Sequence, residues 1–197
     1  MLSQIQIMEK PDWVSWEEIH DIIYAAHESN REKGLDIRNA HLSGDELKES
    51  LGPEGVCFVA LDGDKVVATS SVAFHTLNTW YCRGQKVGYG TLSAVLPEYK
   101  GKHLFTELEK VRIEYARKKG CPGFYVKTAE DNTKRRSIAK KDGYFEVAIG
   151  RTSFNPHNYL TIYKWLEGRP YPVCYIRLRF FWTWLILKTK LVLGKIK

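Results

Sequence analysis

Apolar residues recur at helical spacing in the first part of the chain, directly after two capping patterns. Ser15 is followed by Glu18, and Ser43 by Glu46, which is the spacing of a capping box. The first pattern leads into an apolar stripe formed by Ile19, Ile22, Ile23 and Ala26. The sequence therefore predicts two helices here, the first ending at Gly34 and the second carrying Leu47 and Leu51 on one face.

Strand-like runs come before and after these helices. A short run covers residues 5–8, and two longer runs, 56–61 and 65–74, flank the hairpin signal Asp62-Gly63-Asp64. A third long run covers residues 87–96. The three long runs predict an antiparallel meander.

The second half of the chain alternates helices with strands. A helix after Gly101 carries Leu104, Leu108, Val111 and Tyr115 at spacings of four, three and four. We then expect a strand at 124–128, a helix at 132–142, and strands at 145–154 and 159–166 around a turn at Asn155-Pro156. This order predicts an α/β fold with a mixed sheet, in which the meander leads into helix crossovers and helices cover both faces.

Length and charge divide the chain unevenly. Its 197 residues, 44% of them hydrophobic, are enough for one domain, which we place at 1–168 with an extension at 169–197. Six of the seven net positive charges lie in residues 171–197, so the predicted domain is almost neutral. This distribution argues against a nucleic-acid-binding domain.

The four cysteines are scattered and form no Cys-x-x-Cys pattern, so we expect free thiols and no metal site. Residues 1–10 lack the apolar core of a signal peptide, and the longest apolar run, 180–187, is too short to span a bilayer. These features favour a cytoplasmic protein, with peripheral membrane contact as an alternative.

The segment from residue 87 to 120 carries the strongest chemical signal. A strand ends before Pro97, a turn with Lys100, Gly101 and Lys102 follows, and a helix begins at once. The start of a helix offers backbone N–H groups and the positive end of its dipole. The segment is therefore suited to bind a phosphorylated ligand.

Two stretches resemble the GNAT superfamily of acetyl-CoA-dependent N-acetyltransferases. Residues 94–105, Ala-Val-Leu-Pro-Glu-Tyr-Lys-Gly-Lys-His-Leu-Phe, are similar to its strand-to-helix signature, with Lys100 at the position of an Arg or Gln. Asn132, followed by Lys141-Asp-Gly-Tyr144, is similar to a second family pattern. The order of the predicted elements also matches, over roughly residues 5–165.

The resemblance implies a set of cofactor-binding residues. Backbone N–H groups would hold the pyrophosphate of acetyl-CoA in the loop that contains Lys100 and Gly101, and the preceding strand would pair with the pantetheine arm. Asn132 would place the arm or the substrate. The N–H groups belong to Lys102, His103, Leu104, Phe105 and Thr106, and the strand residues are Ala94, Val95 and Leu96.

The implied reaction is direct attack of an amine on the thioester, which needs a base for the ammonium proton. Glu130 and Asp131 are the first candidates, followed by Glu54 and His75. Ala139 occupies the position of the tyrosine that protonates the leaving thiolate in many members, so Tyr144, Tyr125 or a water would serve, or no acid is needed. His103 and Phe105 also depart from the family pattern, because small residues are usual there.

We therefore expect an N-acetyltransferase that uses acetyl-CoA as co-substrate and a small-molecule primary amine, such as an amino sugar or an amino-acid-like metabolite. The alternative is a non-catalytic module on the same fold, which binds CoA or docks on a partner or a membrane. For the basic aromatic extension, the sequence leaves open an interfacial helix on an anionic membrane and a homodimer or docking element, with nucleic-acid contact ranked last. Packing on protein is slightly favoured.

Overall fold

The computed structural model describes residues 5–32, 38–152 and 155–193, without the side chains of residues 152 and 155–157. These residues form seven strands and six α-helices, with short 3-10 helices at Arg38–His41 and Pro97–Tyr99. The strands are β1 Gln6–Glu9, β2 Val56–Asp62, β3 Lys65–Leu77, β4 Gln85–Val95, β5 Gly123–Ala129, β6 Phe145–Thr152 and β7 Asn155–Trp165. The helices are α1 Trp16–Ala26, α2 Glu28–Arg31, α3 Gly44–Ser50, α4 Leu104–Lys118, α5 Thr133–Lys141 and α6 Val173–Val192.

The described residues fall into two compact units. The first unit contains residues up to 76 together with 88–120, and the second contains 77–87 together with the residues from 121 onward. The sequence-based boundary at residue 168 stays a prediction.

The first unit carries the predicted meander. Its strands follow the order β1-β2-β3-β4, and β2 pairs antiparallel with both β1 and β3. Asp62 is opposite Lys65 in the register, so the hairpin that Asp62-Gly63-Asp64 predicts is confirmed. Strand β4, the third long strand of the predicted meander, begins at Gln85, two residues earlier than predicted.

Alternate residues of β2 face different helices, because successive side chains of a strand point to opposite sides. Cys57, Val59 and Leu61 belong to a buried apolar cluster with residues of α1 and α3. Phe58 instead meets Tyr115 of α4, with ring centroids 5.7 Å apart. Helices therefore cover both faces of the sheet within the first unit, as predicted.

Both predicted helix starts are confirmed. The Ser15 side chain accepts a hydrogen bond from the Glu18 N–H, and Ser43 with Glu46 forms a complete capping box. The predicted apolar stripe of α1 is buried. However, α1 ends at Ala26 and the short α2 follows, so its predicted end at Gly34, which lies outside the described residues, is wrong.

The second unit contains the strand order β5-β7-β6, with both pairings antiparallel. Asn155 and Pro156 lie within β7, so the predicted turn at these residues is wrong. Helix α6, whose contact surface the sequence left open, packs against β6.

The buried face of α4 differs from the predicted one. Leu104 and Leu108 are buried as expected, but Val111 and Tyr115 are only half-buried. Glu109 and Arg112 are buried in addition, although both are charged. Apolar periodicity could not reveal this, because it carries no information on charge compensation. Arg112 pairs with Glu109 of the same helix and also donates to Ser70 and Ser93 on β3 and β4.

Candidate functional site

The turn before α4 has an unusual backbone. A single 3-10 turn at Pro97–Tyr99 leads into extended Lys100, and Gly101 follows with φ +87°. His103, directly before α4, has φ 61° and ψ 10°, which is the left-handed region. A non-glycine residue in this region is uncommon, and such residues cluster at functional sites.

The N-terminus of α4 offers unused hydrogen-bond donors. The N–H groups of Thr106 and Glu107 bond to the His103 carbonyl at 3.0 and 3.1 Å. No side chain caps the helix, and the structure describes no hydrogen bond for the N–H groups of Gly101, His103 and Leu104. Together with the helix dipole, these donors form an anion-binding arrangement.

Side-chain contacts hold this turn in place. The Lys102 ammonium lies 4.2 Å from the centroid of the Tyr99 ring, and the Tyr99 hydroxyl donates to Asp62 at 2.6 Å. Lys100, Lys102 and His103 are exposed. The ammonium groups of Lys100 and Lys102 therefore border the donors. Lys102 lies over the Tyr99 ring, which is hydrogen-bonded to Asp62 at the β2–β3 hairpin.

Strand β4 leads directly into this turn. Ala94 and Leu96 are buried, Val95 is half-buried, and the Leu96 N–H donates to the Val67 carbonyl at 3.0 Å. Leu92, two residues before Ala94, has φ 47°, a local irregularity inside the strand. Sequence reasoning missed this position because leucine gives no signal for a left-handed backbone.

Sequence reasoning also missed a buried polar cluster next to β4. The Arg112 guanidinium, only 1% exposed, donates to the Ser70 and Ser93 hydroxyls at 2.8 and 2.6 Å. It lies 3.7 Å from the Glu109 carboxylate. The Ser93 carbonyl is also 3.2 Å from Nε2 of His27. The cluster thus links α4 and α1 to the strand that precedes the turn.

In the second unit, Glu130 follows β5 and its carboxylate has three donors. Asn158 donates at 2.6 Å, and Trp184 and Lys188 of α6 donate at 3.1 and 3.3 Å. Partial burial acts to raise the pKa of Glu130, but these hydrogen bonds outweigh it and the pKa lies below its ordinary value. A carboxylate stabilised in this way is a weak base.

The other predicted residues of the second unit lie at and after the start of α5. Asp131 is exposed, and Asn132 caps the helix by accepting from the Arg135 N–H at 3.0 Å. Tyr144 is buried, with the Lys164 ammonium 5.4 Å from its ring centroid and the Arg135 guanidinium at 5.8 Å.

The structure therefore gathers the predicted residues into two groups, one in each unit. Ala94, Val95 and Leu96 lie in the first unit with the turn residues up to Thr106. Glu130, Asp131, Asn132 and Tyr144 lie in the second. Glu54 is exposed, and His75 stacks on Tyr89 at 5.2 Å, both in the first unit.

Phe105 is half-buried, with the Arg112 guanidinium 5.8 Å from its ring.

Among the described residues, no group of three or more His, Cys, Asp or Glu side chains is placed to hold a metal ion. Within the described ranges, none of the helices combines the length and apolar character that crossing a membrane requires.

Known proteins share this architecture. The ribosomal-protein-S18-alanine N-acetyltransferase of Escherichia coli superimposes with a TM-score of 0.64 at 14% identity, over 86% of this chain and 99% of that one. An IAA acetyltransferase of Bacillus cereus gives 0.57 at 14% identity, over 83% and 100%. A chain of the NatC complex bound to Gag peptide and CoA gives 0.57 at 11% identity, over 83% and 99%.

At these identities the likeness concerns the fold, and it confirms the predicted mixed α/β architecture. A comparison with curated protein sequences found no match. The family model described as "Acetyltransferase (GNAT) family" matches residues 16–144, which is more than half of the chain and includes both the turn before α4 and the segment from Asn132 to Tyr144. The chain therefore belongs to the GNAT acetyltransferase family.

Proposed function

We propose that this protein transfers an acetyl group from acetyl-CoA to the primary amine of a small molecule, such as an amino sugar or an amino-acid-like metabolite. The observation that carries the proposal is the uncapped start of α4, where the N–H groups of Gly101, His103 and Leu104 have no described partner. A diphosphate needs several donors at once and positive potential. The turn supplies both, since Lys100 and Lys102 border it.

The cofactor would be held mainly by backbone. The N–H groups of His103, Leu104 and Phe105 bind the diphosphate, because those of Lys102 and Thr106 donate to the Tyr99 and His103 carbonyls at 3.4 and 3.0 Å. Ala94 to Leu96 pair with the pantetheine arm. His103 fits this role although it replaces a small residue, because its side chain is exposed. The side-chain oxygen of Asn132 caps α5, so its amide nitrogen is the atom that donates to the arm or the substrate.

In the reaction, the neutral amine nitrogen attacks the thioester carbonyl carbon, and the C–S bond then breaks to release the thiolate of CoA. A base takes the proton that the nitrogen loses, and an acid protonates the thiolate. We assign the base to Asp131 rather than Glu130, because three donors already stabilise the Glu130 carboxylate. Tyr144 is the proposed acid.

Calorimetry with acetyl-CoA tests the cofactor site. Lys100→Glu/Lys102→Glu reverses the charge beside the α4 donors and should weaken binding by more than about tenfold. Lys48→Glu/Lys118→Glu is the matched control, because it makes the same change in net charge at two exposed lysines of the same unit. A loss below about threefold, or an equal loss in the control, would contradict the site.

Release of free CoA thiol across a panel of amines tests catalysis. Turnover with amino sugars or amino acids supports the proposed substrate class, whereas turnover only with peptide N-termini contradicts it. Asp131→Asn should lower kcat more than Glu130→Gln does. A protein that binds acetyl-CoA but acetylates no amine would be the non-catalytic module instead.

A further inference from the structure

Helix α6 has two apolar faces, and the domain covers only one of them. The inner face packs on β6, with Ile176 buried and Trp184 half-buried. The outer face is exposed: Trp182 and Phe181 remain 53% and 51% accessible. Its large apolar residues are Leu178, Phe181, Trp182, Leu185, Ile186, Val192 and Leu193. Within α6, the residues from Leu178 to Ile186 recur at spacings of three and four and form one stripe. Val192 lies on the same face six positions further on, beyond the exposed Thr189, and Leu193 follows the end of the helix.

Basic residues border this outer stripe on both sides. At 3.6 residues per turn, Arg177 and Lys188 lie along one edge and Arg179 and Lys190 along the other. The Lys188 ammonium donates to the Glu130 carboxylate at 3.3 Å, so Arg177, Arg179 and Lys190 are the cations offered to a lipid phosphate. No acidic residue occurs in α6. An apolar stripe between two rows of cations is the pattern of a helix that lies in the headgroup region, where long basic side chains reach anionic phosphates.

The inner face is anchored, so the outer face is presented as a fixed surface. Glu130 accepts hydrogen bonds from Trp184 and Lys188 of α6. Directly before the helix, the Tyr171 hydroxyl donates to the Trp80 carbonyl at 3.0 Å, and the Tyr171 ring stacks at 5.3 Å on Tyr175, an exposed residue of the outer face. Contact of the outer stripe with another surface therefore does not require α6 to leave the domain.

The charges favour lipid over a second copy of the chain. Two α6 helices packed stripe to stripe would bring cationic edges together, and neither helix carries an acidic residue to offset the repulsion. We propose that α6 is a peripheral membrane-docking helix, which rests on an anionic bilayer with its outer stripe among the headgroups. This inference is independent of the acetyl-transfer proposal.

Vesicle co-sedimentation of the full chain tests the proposal. The protein should bind phosphatidylcholine vesicles with about one-third phosphatidylserine at least about tenfold more strongly than pure phosphatidylcholine, and salt should weaken the binding. Arg177→Gln/Lys190→Gln should reduce binding roughly 30-fold, at about fivefold per charge. Lys48→Gln/Lys118→Gln, with the same change in net charge, should leave it unchanged.

The apolar stripe has its own matched pair of variants. Trp182→Ala should reduce vesicle binding about tenfold, whereas Trp13→Ala, which removes a tryptophan of similar exposure (59%) from the other unit, should have no effect. Both sites are exposed, so neither change threatens folding. Cys174 is exposed while the other three cysteines are buried, so an environment-sensitive dye on its thiol reports contact, and its emission should shift to the blue on anionic vesicles.

Three results would overturn the proposal. The first is failure of the intact chain to bind anionic vesicles. The second is equal loss of binding in Trp182→Ala and Trp13→Ala. The third is a dimer in light scattering that Trp182→Ala dissociates and that anionic vesicles do not disrupt. This result would assign the stripe to contact with a second copy of the chain.

Discussion

The carboxylate of Glu130 accepts a hydrogen bond from the indole Nε1 of Trp184 at 3.1 Å, although 54 positions separate the two residues. The bond ties the end of β5 to the inner face of α6. Trp184→Phe removes the donor while keeping most of the ring, and should lower the free energy of unfolding by about 1–2 kcal/mol in urea titration. Trp182→Phe changes an exposed indole of the same helix and should cost less than about 0.5 kcal/mol.

The same carboxylate should make stability depend on pH. Partial burial works against ionisation, but the bonds from Asn158, Trp184 and Lys188 lower the pKa of Glu130 below its ordinary value. The stabilisation is therefore present above the ordinary carboxyl pKa and is lost as pH falls through the lowered, folded-state pKa. Glu130→Gln should be less stable than the parent at neutral pH, and urea titrations across the acid range should show this difference shrinking. A difference in the free energy of unfolding that stays constant with pH would contradict the lowered pKa of Glu130.

The buried pair of Arg112 and Glu109 allows a double-mutant test. Arg112→Met leaves the Glu109 carboxylate without the guanidinium in a buried position and should destabilise the protein by about 3–5 kcal/mol. Arg112→Met/Glu109→Leu removes both charges and should recover much of that loss. Thermal or urea unfolding measures the effect, and a double variant less stable than the single one would show that the charges are not coupled in this way.

Tyr99 should position Lys102 for the cofactor. Tyr99→Ala removes the ring beneath the Lys102 ammonium and should raise the KM for acetyl-CoA by roughly two- to fivefold, the range of an exposed cation–π contact. Tyr99→Phe keeps the ring and loses only the hydrogen bond to Asp62. Steady-state kinetics should therefore show a smaller change in KM for the phenylalanine variant, and equal changes would argue against the ring contact.

His27 should titrate below its ordinary range. Burial lowers its pKa, the bond to the Ser93 carbonyl partly opposes this, and Lys100 and Arg31 lower the pKa further. Stability from neutral His27 is present above the unfolded-state value of 6.5 and is lost as pH falls through the lowered, folded-state pKa. NMR titration of the imidazole measures the pKa, with His27→Gln to assign the signal. A pKa at or above 6.5 would contradict the prediction.

Features held by neighbouring residues could be predicted from the sequence. The capping box needs only Ser43 and Glu46, and the hairpin needs only Asp62-Gly63-Asp64, because the atoms that meet are a few positions apart. The turn and helix start after Pro97 were predictable for the same reason. The motif also pointed to an anion site, since the donors belong to consecutive residues of the backbone.

Tertiary structure decided the surroundings of Arg112, Glu130 and α6. Arg112 is a charged residue whose buried guanidinium lies beside the Glu109 carboxylate and donates to Ser70 and Ser93, 42 and 19 positions away. The sequence offered Glu130 as a base, and folding surrounded its carboxylate with donors from β7 and α6. The sequence likewise determined the aromatic and basic character of α6. Which of its two apolar faces is covered was decided by packing on β6, because helical periodicity alone cannot distinguish a face that meets the domain from one that meets another surface.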